Sequence, residues 1–194
     1  FIVVFVRFVM KRFYLSVLFL CSFGSLFAGG PSFAFCDYSQ GKVFIQENGE
    51  IVWEHKAPDS NDIWVLPNKN ILFTAGKEVL EVSRKNDTIF HYTSESNIFA
   101  CQRLKNGNTF IGECDNGRLL EVSPDGSIVK DVSILPFGVK TGGHAFMRNA
   151  RCLDNGHYLV AHYGGKSVVE YDENGKAVWN IPISGGAHSV IRLP

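Results

Sequence analysis

The stretch from Val169 to Trp179 reads VEYDENGKAVW and decides the fold of this chain. Two short, β-prone apolar runs flank Asn174-Gly175, and an Asn-Gly between such runs is the strongest short-range signal for a β-hairpin. Copies of this unit, which differ in how closely they match it, run from Val43 to Trp53, from Leu80 to Phe90 and from Leu120 to Lys130. In every copy the closing residue follows the opening apolar residue by ten positions. The chain is therefore built from repeats.

A second landmark, a leucine followed by an Asn-containing turn or by Pro, gives the length of the repeat. It begins at Leu66, Leu104, Leu153 and Leu193, in steps of 38, 49 and 40 residues. Each period holds four short strands, which the third copy shows most clearly over 97–104, 109–114, 118–122 and 127–132. Four strands in about forty residues are typical of a propeller blade. We predict an all-β propeller of four-stranded antiparallel blades, with about four blades present out of a ring of about six to eight.

The first thirty residues are expected to lie outside this fold. Met10-Lys11-Arg12 begins a basic segment, an apolar run follows from Phe13 to Phe23, and Ala28 offers a small residue for cleavage. This order is typical of a secretory signal peptide, here preceded by an apolar upstream segment. The alternative, a membrane anchor, is disfavoured because basic residues interrupt the run. We expect an exported protein, periplasmic or extracellular, with no stable membrane span after cleavage.

The repeat divides the remaining chain, residues 31–194, into blades. Their predicted ranges are 31–57 for a partial first blade, then 58–96, 97–143 and 144–184, with the start of a further blade at 185–194. The partial blade lacks its first strand, and 187–193 has the pattern of a lone first strand. That strand either completes the first blade and closes a ring of four, or begins a truncated fifth blade. We favour truncation, because other copies continue past the Leu193 position into a second strand.

Charge and cysteine usage exclude several kinds of partner. Nineteen basic and nineteen acidic residues leave no formal net charge, and no stretch concentrates Lys and Arg with aromatics, so we expect no nucleic acid. No Cys-x-x-Cys or paired Cys/His spacing suggests structural zinc. We interpret Cys36, Cys101, Cys114 and Cys152 as small buried apolar residues, with a Cys101–Cys114 disulfide as the alternative. We expect a monomer.

The repeat also predicts two unlike faces. Turns between first and second strands, and between third and fourth strands, are short and uniform and lie on one face. The opposite face carries the second-to-third loops and the crossings between blades, which vary in length. Ligand-binding residues concentrate on variable loops held by a rigid scaffold. We therefore expect a site on this loop face.

Histidines and arginines mark that face. His144 and His188 open innermost strands, His162 ends a second strand, and Arg148 and Arg151 continue inward from His144. We propose these five as ligand-binding residues, because imidazole and guanidinium groups at the mouth of the channel suit an anionic or polyhydroxylated ligand. Two alternatives remain open: the side chains bond loop carbonyls in a water-filled channel, or three histidines hold a metal. We expect no metal.

The hairpins and strands resemble those of a known family. The hairpin from Val169 to Trp179, together with Gly49–Glu54, Cys101–Thr109 and Ala187–Pro194, is similar to the tryptophan-docking repeats of secreted bacterial PQQ-like, quinoprotein-type propellers. The resemblance covers about residues 31–194 and implies the propeller fold, in a family that includes both alcohol dehydrogenases and non-enzymatic scaffolds. The adjacent cysteine pair and the calcium-binding Glu/Asn/Asp set of the quinone dehydrogenases are not recognisable, so we expect no cofactor.

Two classes of function follow. The one we favour is a non-catalytic extracytoplasmic propeller that binds a protein, peptide or glycan on its loop face. The alternative is an enzyme, of quinoprotein dehydrogenase type or of a group-transfer type that resembles the arylsulfotransferase propellers. In the group-transfer case His144 or His188 would act as the channel histidine, and Arg148 and Arg151 would neutralise the transferred group.

One structural expectation concerns the closing position of the hairpin. Trp53, Phe90 and Trp179 occupy it in three copies and Lys130 in the fourth. One large flat ring per repeat suits the wedge between adjacent sheets. We therefore expect all three rings to be buried between blades.

Overall fold

A computed structural model describes residues 30–134 and 145–193 of the chain. Fifteen strands form the regular structure of these residues, in four antiparallel sheets. The predicted signal peptide and the candidate ligand residue His144 lie outside the described residues. Over the described part, no helix has the length and apolar character needed to cross a bilayer.

Each sheet is a meander in which strands adjacent in sequence pair with one another. Blade 1 has three strands, β1 (Phe33–Asp37), β2 (Lys42–Glu47) and β3 (Glu50–Lys56). Blade 2 has β4 (Ile63–Val65), β5 (Ile71–Ala75), β6 (Glu78–Val82) and β7 (Thr88–Thr93). Blade 3 has β8 (Ile98–Arg103), β9 (Thr109–Glu113), β10 (Arg118–Val122) and β11 (Ile128–Ser133). Blade 4 has β12 (Asn149–Cys152), β13 (Tyr158–His162), β14 (Ser167–Tyr171) and β15 (Ala177–Pro182). These sheets confirm the all-β propeller-blade architecture.

The four outer hairpins share one register, as the repeat predicts. The closing residue of each lies opposite the residue just before a β-bulge, in the pairs Ile45↔Trp53, Glu81↔Phe90, Glu121↔Lys130 and Glu170↔Trp179. The turn of the first hairpin places both Asn48 and Gly49 at positive φ, 54° and 88°. A two-residue hairpin turn of this kind requires positive φ at both positions, which explains the Asn-Gly sequence.

Three apolar clusters lie between successive blades and hold the sheets together. The first joins β2 and β3 to β5, with Trp53 against Phe73 and Ile71. The second places Phe90 of blade 2 in the same cluster as Ile111 of blade 3. The third joins blades 3 and 4 and is the largest, with Phe110, Phe146, Tyr158 and Tyr171 among its members. Sheet-on-sheet burial along the chain is thus the main source of stability.

The closing position of the hairpin does not have one role in all four copies. Trp53 and Phe90 are buried, at 6% and 5% exposure, as predicted. Lys130 also contacts the next blade, but through its charge. Its Nζ lies 5.3 Å from the centre of the Tyr158 ring, which is a cation–π contact. The prediction for Trp179 is wrong: its side chain is 48% exposed. Within the described residues no sheet packs on that face of blade 4, and the ring lies beside Val190, Ile191 and Arg192 instead of in a core between blades.

The segment 187–193 also departs from its predicted strand. It has no regular structure, because no described strand lies beside it to share a hydrogen-bond ladder. It is tied to blade 4 instead: the Val190 N–H donates to Asn149 Oδ1 at 3.4 Å, and Arg192 pairs with Glu170. The ring size and the role of 185–194 as the start of a further blade stay predictions.

The contrast between the two tryptophans is testable by truncation. Trp53→Ala should lower the free energy of unfolding by about 3–5 kcal/mol, because it empties the core between blades 1 and 2. Trp179→Ala should cost about half of that or less, because 48% of Trp179 is already exposed. Urea unfolding monitored by far-UV circular dichroism measures both. Equal losses in the two variants would contradict the assignment.

Candidate functional site

The loop face is the end of the blades at which second strands finish and third strands begin. In the described chain it is formed by residues 38–41, 57–62, 76–77, 94–97, 114–117, 145–148, 163–166 and 183–188. The opposite end, here called the turn face, carries the short hairpin turns around Asn48-Gly49, Asn106-Gly107, Asp125-Gly126, Asn155-Gly156 and Asn174-Gly175. The strand directions therefore confirm that the variable loops share one face.

Side chains on the innermost strands tie neighbouring blades together. Trp64 on β4 donates its indole N–H to the carbonyl of Cys101 on β8, at 2.7 Å. Gln102 on β8 bonds the backbone of Cys152 on β12 twice: its amide donates to the carbonyl at 3.3 Å and its oxygen accepts from the N–H at 3.1 Å. These bonds satisfy backbone groups of strands that have no further neighbour in their own sheet.

A buried ion pair lies at the centre of this arrangement. Arg151 on β12 donates both terminal nitrogens to Asp62, just before β4, at 2.6 and 3.0 Å. The Cys101 N–H of β8 donates to the same carboxylate at 3.0 Å, and the Arg151 guanidinium lies 5.0 Å from the centre of the Trp64 ring. Burial raises the pKa of the Asp62 carboxyl, and Arg151 opposes the rise. Three blades therefore meet on one carboxylate.

Arg151 is thus engaged in structure, whereas Arg148 is placed differently. The Arg148 guanidinium lies over the Phe99 ring at 5.0 Å. Its Nη1 is buried and has no hydrogen-bond partner among the residues that the structure describes. A buried guanidinium nitrogen without an acceptor carries a desolvation cost. Arg148 therefore retains unused donor capacity beside the crossing that leads into blade 4.

His162 is enclosed in blade 4. Its Nδ1 donates to the carbonyl of Phe146 at 2.9 Å, so its Nε2 accepts from the Tyr171 hydroxyl at 2.8 Å in the neutral form. The residue is fully buried, and burial lowers the pKa of the imidazole. Burial also raises the pKa of the Tyr171 hydroxyl. These contacts hold the start of blade 4 against its second and third strands.

His188 lies on the loop face and is exposed. Its ring meets Tyr163 edge-on, with centroids 4.8 Å apart and planes at 75°. Tyr163 is itself 39% exposed. The structure thus brings His188 together with a tyrosine that sequence reasoning did not select, although Tyr163 directly follows His162 in a Gly-containing loop.

The prediction of buried cysteines holds for two of the four: Cys101 and Cys114 are fully buried, whereas Cys36 and Cys152 are only partly buried. None of the four is in a disulfide, so the Cys101–Cys114 disulfide is not formed. Burial raises the pKa of the Cys114 thiol to about 11. In the described ranges, no group of three or more His, Cys, Asp or Glu side chains is arranged to hold a metal ion.

Sequence reasoning missed a repeated polar cluster on the turn face. A third-strand glutamate accepts from side chains at the second or fourth position after each landmark leucine. Glu81 accepts from Asn68 and Asn70 at 3.2 and 2.6 Å. The equivalent contacts are made by Glu121 to Asn106 and Asn108 at 2.8 and 2.6 Å, and by Glu170 to His157 at 2.8 Å. The repeat phase carried the signal, because the asparagines and glutamates recur at fixed offsets.

Comparison with known proteins identifies the fold and not a family. No protein-family model matches the chain, and no curated protein matches it significantly. A protein of unknown function from Bacteroides caccae is similar in structure, with a TM-score of 0.70 and 22% identity over 79% of this chain and 58% of that one. A streptogramin B lyase has a TM-score of 0.60 and 15% identity, over 79% of this chain and 51% of its own.

A third similar structure is BBS1N, solved in complex with ARL6DN. Its TM-score is 0.60 at 15% identity, and the match covers 84% of this chain and 53% of that one. The chain therefore spans between 51% and 58% of the three proteins. At these identities the likeness shows the fold alone. The described chain is a set of β-propeller blades.

The ion pair predicts a large effect when one partner is removed. Arg151→Met should lower the free energy of unfolding by about 3–5 kcal/mol, because it leaves the Asp62 carboxylate buried without its counter-ion. Lys105→Met provides the control, since Lys105 and Asp154 form an ion pair in which both side chains are 85% exposed; we expect a change of less than about 1 kcal/mol. Urea unfolding measures both. A similar loss of unfolding free energy in the two variants would show that the burial of the Asp62–Arg151 pair does not determine its effect on stability.

The enclosed imidazole predicts a pH dependence of stability. Because the pKa of His162 is lowered in the fold, the unfolded chain binds more protons below the ordinary pKa of about 6.5. Stability from this residue is therefore present above that pH and is lost as pH falls toward the folded pKa. The melting-temperature gap between wild type and His162→Gln should narrow from about pH 7.5 to 5. Val160→Ala, a nearby non-titrating change, should keep its gap; parallel curves for His162→Gln and wild type would contradict the assignment.

Proposed function

We propose that this chain is a non-catalytic binding module whose loop face at blade 4 receives a negatively charged protein, peptide or glycan. One observation carries the proposal: the described segments of this part of the face, 145–151, 161–168 and 183–189, contain no Asp or Glu. They carry the described basic residues Arg148, Lys166 and His188. The loops of blades 1 to 3 carry Asp37, Asp59, Glu95 and Asp115.

The cations differ in how much of their charge is already balanced. Arg151 is paired with Asp62. Within the described residues Arg148, Lys166 and His188 take part in no ion pair. Unbalanced charges of one sign on one sector raise the local concentration of oppositely charged ligands. Of the set proposed from sequence, His144 lies outside the described residues. The other four divide into two parts: Arg151 and His162 support the fold, while Arg148 and His188 are proposed to face the ligand.

The similar structures are compatible with a binding role. BBS1N was solved in complex with ARL6DN, so a protein of this fold carries a protein partner. The streptogramin B lyase shows that the fold also serves an enzyme. Export to the periplasm or beyond remains a prediction from the N-terminal sequence, and the ligand of this chain is a proposal from its charges.

A charge removal on each face tests the proposal. Lys166 and Lys69 both have positive φ, 48° and 70°, and both are exposed, Lys166 on the loop face and Lys69 on the turn face. Asn tolerates this backbone region, so Lys166→Asn and Lys69→Asn are matched. With hexaglutamate as the probe in low salt, Lys166→Asn should weaken binding about twofold to fivefold and Lys69→Asn should not change it. Calorimetric titration measures both affinities.

Two results would overturn the proposal. One is an absence of hexaglutamate and inorganic sulfate binding at low salt. The other is an equal loss of affinity in Lys166→Asn and Lys69→Asn, which would place the probe on no particular face. Amide chemical shifts that change on the turn face instead of at 145–148 and 163–166 would lead to the same conclusion.

A further inference from the structure

We propose that Tyr163 forms a stacking subsite for a uronic-acid sugar, so that the ligand of the loop face is an acidic oligosaccharide. The inference rests on the proposed function and adds the chemical class of the ligand. Three features carry it: an aromatic ring that contacts Gly186 and His188, basic side chains on the same face, and a loop whose backbone is partly engaged in hydrogen bonds.

The ring of Tyr163 is held in place by the crossing that follows blade 4. It lies against Gly186 so closely that a Cβ at this position would be 2.3 Å from two ring carbons. A Cβ at this position would therefore force the Tyr163 ring to shift, because real Cβ atoms do not come so near another carbon. The edge-on contact with His188 supports the ring from a second side. The 39% of Tyr163 that remains exposed is therefore presented in a fixed orientation.

The loop that carries Tyr163 is fixed to its surroundings by backbone hydrogen bonds. The Gly164 N–H donates to the Ala145 carbonyl at 2.8 Å, and the Lys166 N–H donates to the Tyr163 carbonyl at 3.2 Å. The Lys166 carbonyl accepts from the Ile183 N–H at 2.8 Å. Loop ordering costs little on binding when a loop is already held in this way.

The chemistry of this surface favours a sugar over a peptide. Peptides that bind in extended form add a strand to an open sheet edge and use free backbone groups. Here the Gly164 N–H and both backbone groups of Lys166 are engaged internally, and the exposed ring and basic side chains remain for recognition. An amphipathic ring such as tyrosine offers apolar area with a hydroxyl at its tip, which suits the C–H face of a pyranose. Lys166, His188 and Arg148 can donate to a carboxylate.

The acid in the sugar is required by the surroundings of the ring. Blade 4 contributes no carboxylate to this face, so nothing there would accept from neutral sugar hydroxyls as strongly as cations donate to a carboxylate. A neutral sugar would use the ring alone. A uronic acid uses both the ring and the cations, and we expect it to bind more tightly than either a neutral sugar or an acidic peptide of the same length.

Two glycine variants provide a sharp test. Gly186→Ala pushes the Tyr163 ring away, whereas a Cβ at Gly185 meets nothing within 4 Å, so Gly185→Ala is the matched control. With trigalacturonate as the probe, Gly186→Ala should weaken binding at least about fivefold and Gly185→Ala less than about twofold. If Gly186→Ala does not fold, Tyr163→Leu, at an exposed position, replaces it with the same expected loss. Calorimetry on the full chain gives the affinities.

Maltotriose and triglutamate serve as comparison probes. Tighter binding of trigalacturonate than of both, with the loss in Gly186→Ala or Tyr163→Leu, supports the inference. Equal affinity for triglutamate, or no loss in either variant, overturns it while the anionic loop-face proposal stands. Equal affinity for maltotriose overturns the requirement for acid. Failure of all three probes, together with failure of hexaglutamate, overturns both proposals.

Discussion

The ion pair between Asp62 and Arg151 is the interaction on which the arrangement of blades 2 to 4 depends. Each partner would be expensive to bury alone, because the charge loses its hydration. The pair therefore forms only when Arg151 on β12 reaches the Asp62 carboxylate just before β4. The Cys101 N–H of β8 donates to the same carboxylate. Replacing such a pair with apolar residues can leave stability unchanged. Its contribution here is to define how three innermost strands converge, while apolar burial between the sheets supplies most of the free energy.

That burial follows the repeat. The repeat sets the register position of the residue that contacts the next blade, but the type of residue at that position varies. Trp53, Phe90 and Lys130 occupy one register position and each meets the following blade, the first two within an apolar cluster and the third through a cation over Tyr158. A lysine can take this position because its aliphatic stem packs while its ammonium meets the ring face. Trp179 occupies the same register position and stays exposed. The residue at this position is therefore buried by its neighbour and not by its own hairpin.

This difference separates what the sequence predicts from what it does not. The strands of the four blades, their turns and the hairpin register are local properties, set by alternating apolar residues and by turn residues at positive φ, and these were predictable from the repeat. The strand predicted at 187–193 was not, because it depends on a neighbour. The pairing of Asp62 with Arg151 joins residues 89 positions apart, and no local pattern signals it. His162 looked like a ligand because its place in the repeat is near the loop face, yet Phe146 and Tyr171 enclose it. The glutamate–asparagine contacts of the turn face were predictable in principle, since their offsets recur.

The two arginines on the first strand of blade 4 and the turn before it show how a propeller separates scaffold from site. Arg151 points its charge at a carboxylate from another blade and is neutralised within the fold. Arg148, three residues earlier, packs over Phe99 and keeps a buried donor without an acceptor among the described residues. The described loop-face segments of blade 4, 145–151, 161–168 and 183–188, contain no carboxylate that could satisfy that donor. Asp62 and the apolar clusters already hold the blades together. The blade architecture therefore does not require the unbalanced positive charge of this sector, and this is the physical reason for proposing that the charge serves a ligand.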